Sequence, residues 1–66
     1  MRVGSLLTAL RLAEARDMAT MLVERYGSDA RAVSEKLMAI AVEKDNREAG
    51  AIISLCQKVL AARGHW

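Results

Sequence analysis

The chain has 66 residues, 53% of them hydrophobic, and ten basic against eight acidic side chains give it a net charge of +2. So small a charge, with both signs interspersed along the chain, argues against the concentrated basic face of a nucleic-acid-binding domain. A domain of this size buries only about 60% of its unfolded surface and usually needs additional stabilisation. The single cysteine cannot form a disulfide within the chain, and one cysteine with one histidine cannot form a zinc cluster. Oligomerisation therefore remains as the means of stabilising the domain.

Good helix formers dominate the sequence, proline is absent, and strand-like alternation appears nowhere. The sequence therefore predicts one all-α domain over residues 1–66. We expect a small antiparallel three-helix bundle, with helices at about 5–26, 29–44 and 46–63, that is completed by dimerisation. No apolar run approaches the roughly 20 residues that span a bilayer, so we expect a cytoplasmic protein without a membrane partner.

The first predicted helix begins with Ser5 as N-cap and ends at Tyr26, where Gly27 supplies the left-handed residue that commonly ends a helix. Two apolar stripes run along it. One is expected to face the other two helices and consists of Leu12, Ala15, Met18, Ala19, Leu22 and Tyr26. The other, the N-terminal stripe, is rotated from the first by more than about 90° around the helix and consists of Val3, Leu6, Leu7, Leu10 and Ala13.

A lone three-helix bundle can bury only one of these stripes fully. We therefore predict that the N-terminal stripe forms a protein interface, most simply between two copies across a two-fold axis. The alternative is that the helix breaks or bends near Arg11, so that both stripes face one core within the chain. The same segment has the basic residue, short apolar stretch and small-x-small site of a signal peptide. Its pattern, however, continues through Arg11 into the helix.

The second and third predicted helices each carry one apolar stripe. Ser28 or Asp29 is expected to cap the second helix. Asp45 is expected to cap the third, with Glu48 completing a capping box and Gly64 ending the helix. The stripe of the second helix is Ala30, Val33, Leu37, Ile40 and Ala41. That of the third is Ala49, Ile52, Ile53, Cys56, Val59 and Leu60.

No set of residues in the sequence has the pattern of a catalytic site. His65 lies at a chain end, where the backbone usually frays. Cys56 falls within an apolar stripe and is interpreted as a small buried side chain rather than a redox thiol. The carboxylates stand beside basic residues at helical spacing, as Glu35 does with Arg31, which is typical of surface ion pairs. We predict a protein that is not an enzyme and has no cofactor or metal.

Two functions from different classes fit these observations. The first is a small helical protein–protein interaction module, a homodimer that acts as an accessory, regulatory or inhibitor protein and binds itself or another protein. The alternative is a small DNA- or RNA-binding transcriptional regulator whose third helix reads the nucleic acid. The side chains that this helix would present are Arg47, Ser54, Gln57 and Lys58.

The run from Tyr26 to Ala30, which reads Tyr-Gly-Ser-Asp-Ala, is followed 15 residues later by the acidic residue Asp45. This arrangement resembles a group of short, uncharacterised alphaproteobacterial three-helix proteins with a Tyr/His-Gly-x-x-Ala turn. The similarity covers about residues 13–62. Those proteins often carry a tryptophan in the last helix, where this chain has Ala-Ile-Ile-Ser at 51–54. The resemblance implies a three-helix fold and no particular activity.

Overall fold

The computed structural model describes residues 3–65, and the side chains of residues 7–65. Helix α1 spans Val3–Tyr26, α2 spans Ala30–Glu43 and α3 spans Arg47–Ala62, with a short 3-10 turn at Gly27–Asp29 between α1 and α2. The described part contains no strand, which confirms the all-α prediction. The three helices pack into one body that measures 38 × 27 × 16 Å.

The core forms where α3 packs against both other helices. Three of its central residues are alanines, whose small side chains allow the helix backbones to approach closely. The large side chains at the centre are those of Leu22 and Leu60, which are almost completely buried. The buried cluster consists of Ala15, Ala19, Leu22, Ala30, Cys56 and Leu60.

Helix α1 is continuous from Val3 to Tyr26 and begins two residues before the predicted cap Ser5. It runs unbroken through Arg11, and Leu7 and Leu10 of the N-terminal stripe are exposed, so the alternative in which a break or bend lets both apolar stripes share one core is wrong. Tyr26 is 46% exposed and does not belong to the core. Tyr26 is the last residue of α1 and lies directly before the 3-10 turn, where the packed helices do not cover its ring.

The first turn uses the predicted left-handed glycine. Gly27 has a φ of 54°, which confirms that it ends α1. The N–H group of Ala30 donates a hydrogen bond to the Gly27 carbonyl, which closes the 3-10 turn. Asp29 occupies the N-cap position of α2 as predicted, but its side chain makes no capping hydrogen bond.

The second turn corrects the predicted cap of α3. Asp45 has a φ of 52°, and its N–H group donates to the Val42 carbonyl at 3.1 Å. The next N–H group, of Asn46, donates to the Ala41 carbonyl at 2.8 Å, so the two bonds form a Schellman motif that ends α2. Asp45 therefore ends α2 and does not cap α3. Asn46 is the cap, because its side chain accepts a hydrogen bond from the Ala49 N–H group at 3.1 Å.

This shift removes the predicted capping box, because Glu48 now stands two residues after the cap instead of three. A second Schellman motif ends α3 at Ala62, one residue before the predicted Arg63. In it the N–H groups of Gly64 and His65 donate to the carbonyls of Ala61 and Leu60, at 3.1 and 2.9 Å. Gly64 has a φ of 83°, which confirms that it ends the helix.

The buried side of α3 agrees with its predicted stripe, whereas that of α2 agrees only in part. On α3, Ile53, Cys56 and Leu60 are buried, and the other stripe residues are half-buried. On α2, Ala30 and Ala41 are buried as predicted, but Ile40, which was also predicted to be buried, is 48% exposed. Ser34 is fully buried and was not predicted to be. Its hydroxyl donates to the Arg31 carbonyl at 2.7 Å, so its burial leaves no polar atom unpaired.

Candidate functional site

The predicted interface lies on the side of α1 that faces away from the core. Leu7 is 48% exposed and Leu10 is 54% exposed, although both are large apolar side chains. Ala13 is exposed as well. The side chains of Val3 and Leu6, the remaining members of the N-terminal stripe, lie outside the part of the chain whose side chains are described. The stripe residues whose side chains are described are therefore exposed within one copy of the chain.

The exposed apolar side of α1 continues further than the sequence analysis predicted. Met21 is 42% exposed and was assigned to neither stripe. Steps of three or four residues place six exposed side chains in one line along the helix. We call this line the outer stripe of α1; it consists of Leu7, Leu10, Glu14, Asp17, Met21 and Arg25. The sequence signal was the eleven-residue step from Leu10 to Met21, which is three helical turns.

The three charged members of the outer stripe, Glu14, Asp17 and Arg25, have no ion-pair partner within the described part of the chain. Its ion pairs join Arg31 to Glu35 at 3.2 Å and Arg47 to Asp45 at 4.0 Å, and neither pair involves α1. Glu14 and Arg25 are both exposed and stand eleven residues apart on the same side of the helix. Their charges are therefore available to a group outside this copy of the chain.

The thiol of Cys56 is part of the core. Its residue is completely buried, and burial raises the pKa of the thiol, an effect that the nearby positive charge of Arg63 partly offsets. The neutral thiol is the form favoured by burial, whereas a reactive cysteine needs an accessible thiolate. The position confirms the interpretation of Cys56 as a small buried side chain.

The residues expected to read nucleic acid are not presented together. Arg47 and Lys58 are exposed, while Ser54 and Gln57 are half-buried. Ser54, Gln57 and Lys58 line a shallow, open depression with Ala61. Arg47 lies at the other end of the helix, where the Asp45 carboxylate is 4.0 Å away. Of the two basic side chains on the predicted reading surface, Lys58 is thus the one that has no ion-pair partner among the described residues.

Two further findings concern residues 3–65. No group of three or more His, Cys, Asp or Glu side chains there could hold a metal ion. None of the described helices has the length and apolar character needed to cross a membrane. Comparison of the chain with protein-family models, with curated proteins and with solved structures finds no match.

Proposed function

We propose that the chain is a small, non-enzymatic helical interaction module that works as a homodimer and acts as an accessory, regulatory or inhibitor protein. The observation that supports this proposal is the exposure of Leu7 and Leu10, which lie one turn apart on the continuous helix α1. Since neither side chain can reach the core from that side, their apolar surface is left for a contact with another molecule.

The physical argument rests on the cost of leaving these side chains in water. Adjacent exposed apolar residues form the kind of patch that marks an association site. A symmetric dimer buries the patch of both copies in one contact, so each apolar residue contributes twice. Fully burying a leucine contributes about 1.5–3 kcal/mol. Because Leu7 and Leu10 are 48% and 54% exposed in one copy of the chain, a dimer can bury only about half of each side chain, and we expect about half of that value from each.

Sedimentation of the parent protein and of Leu10→Asp tests the proposal. The parent should sediment as a dimer at micromolar concentration. The variant should raise the dissociation constant by at least about tenfold, because it removes apolar contact from both copies and places two carboxylates in the interface. Ile40→Asp is the matched control, since Ile40 is similarly exposed but lies on α2. It should leave the dimer intact. A parent protein that sediments as a 7.2 kDa monomer would overturn the homodimer.

A further inference from the structure

We propose that two copies of this chain pair along the outer stripe of α1 in antiparallel orientation, with Glu14 of each copy facing Arg25 of the other. The partner is thus a second copy of the same chain. The inference rests on the proposed homodimer and adds its orientation and register.

The geometry of the outer stripe permits such a pairing. Its six residues lie in one line on one side of α1 and are all exposed. From Leu7 to Arg25 the stripe is about 27 Å long, at the helical rise of 1.5 Å per residue. Helix α1 is continuous over this length and ends at Tyr26, so in the register that aligns Glu14 with the partner's Arg25 a second α1 lies against residues 13–26.

The charges decide the orientation. In a parallel pair, Glu14, Asp17 and Arg25 would each face the same residue of the partner, so all three charged positions would repel. In an antiparallel pair that aligns Glu14 with the partner's Arg25, the partner's Leu22 lies level with Asp17, and symmetry also aligns Arg25 with the partner's Glu14, so both Glu14–Arg25 contacts attract. Neither residue has an ion-pair partner in the described part of its own chain, so no existing contact has to break.

The same register brings Met21 and Leu10 to the contact. The midpoint between Glu14 and Arg25 falls between residues 19 and 20, which places Met21 of each copy beside the two-fold axis, level with the half-buried Met18 of the other. Unbranched methionine side chains adapt well to such a contact. Leu10 then lies past the end of the partner's α1, level with the partner's Gly27–Asp29 turn, where the ring of Tyr26 is also exposed, and Leu7 lies beyond that turn.

Charge reversal tests this arrangement in the full-length chain. Glu14→Arg gives two Arg–Arg contacts per dimer, and Arg25→Glu gives two Glu–Glu contacts. Since an exposed ion pair contributes up to about 1 kcal/mol and both pairs change from attraction to repulsion, each variant should raise the dissociation constant by roughly tenfold or more at low salt. The double variant Glu14→Arg/Arg25→Glu should return it to within about threefold of the parent value.

Two controls separate this effect from a change in folding. Arg16→Glu reverses a charge on the opposite side of α1 and should leave dimerisation unchanged. An equimolar mixture of Glu14→Arg and Arg25→Glu should form heterodimers of near-parent affinity, although each variant alone dimerises poorly, because both contacts then join opposite charges. Recovery in the mixture cannot arise if either chain is unfolded.

The outcomes distinguish the register from the homodimer. If the parent is dimeric and neither single variant weakens the dimer, or if the mixture does not recover affinity, the antiparallel pairing is overturned and the homodimer stands. If the parent is monomeric at micromolar concentration, the proposed homodimer itself is overturned.

Discussion

The guanidinium group of Arg63 donates a hydrogen bond of 2.9 Å to the hydroxyl of Thr20, 43 residues earlier in the chain. The Thr20 hydroxyl in turn donates to the Arg16 carbonyl at 3.0 Å. This pair of bonds joins the residue that follows α3 to the second half of α1, and so supplements the apolar contact between the two helices with a directional one.

We expect this bond to stabilise the fold modestly, because both side chains are exposed to water. Thr20→Val keeps the shape of the side chain and removes the hydroxyl, and Arg63→Gln removes the charge. The two changes should show a coupling energy between a few tenths and about 1 kcal/mol in a double-mutant cycle of urea unfolding. Additive effects would show that the bond contributes nothing in solution.

The buried thiol predicts a specific dependence on pH. Burial raises the pKa of Cys56 in the folded chain, so a thiol reagent should label the native protein slowly and the urea-unfolded protein fast, with the native rate rising at higher pH than the unfolded rate. The unfolded chain loses this proton first as pH rises. The stability that the buried neutral thiol contributes is therefore complete below about pH 9 and falls above it.

The variants Cys56→Ala and Arg63→Gln serve as controls for this prediction. The free-energy difference between parent and Cys56→Ala should shrink above about pH 9, because only the parent loses the contribution of the thiol. Arg63→Gln removes the charge that offsets burial and should shift native labelling to still higher pH. Native labelling as fast as unfolded labelling would contradict the burial of Cys56.

Two glycines should respond to alanine in opposite directions. A Cβ at Gly27 would meet nothing within 4 Å, but the φ of 54° strains any residue that carries one, so Gly27→Ala should cost about 1 kcal/mol and Gly27→Val more. Gly50 lies inside α3, and a Cβ there would meet the sulfur of Met38 at 4.0 Å, an ordinary contact. Gly50→Ala should therefore stabilise by about 0.5–1 kcal/mol. Thermal melts of the two variants that moved in the same direction would contradict this assignment.

Three variants test the turn between α2 and α3. Asp45→Gly should stabilise the protein by up to about 1 kcal/mol, because glycine adopts the φ of 52° without strain. Asn46→Ala should cost about 1 kcal/mol, because it removes the acceptor for the Ala49 N–H group. If Asp45→Ala were as costly as Asn46→Ala and Asp45→Gly gave no gain, Asp45 would be the cap after all. Urea unfolding of the three variants provides the measurement.

Residues with a local reason for their conformation were predictable from the sequence. Gly27 and Gly64 end helices because only glycine takes positive φ at little cost, and that reason needs no knowledge of the other helices. The N-cap residue of α3, Asp45 or Asn46, could not be predicted in this way. Asp and Asn are comparably good caps, and the prediction failed because the Schellman motif of α2 already occupies the backbone of Asp45.

The choice of buried side chains depended on where the helices meet. On α2 the pattern of apolar residues predicted that both Ile40 and Ala41 are buried, yet the neighbouring helices cover Ala41 and Ser34 and leave Ile40 exposed. A serine is acceptable there because its hydroxyl finds an acceptor in its own helix. The spacing of apolar residues cannot decide between adjacent positions that differ by only about 100° around a helix.

The sequence by itself determined that the chain is helical, where its turns lie, which side of α3 is buried and that the start of α1 carries apolar residues in excess of what one bundle needs. These features depend on backbone propensity and on periodicity within one helix. Only the tertiary structure decided that α1 is unbroken, that Tyr26 and Met21 remain exposed, and that Met21 lies in line with Leu7, Leu10, Glu14 and Arg25 on an uncovered side. Exposure depends on which neighbour covers a residue, and a neighbour's position is a property of the packed chain.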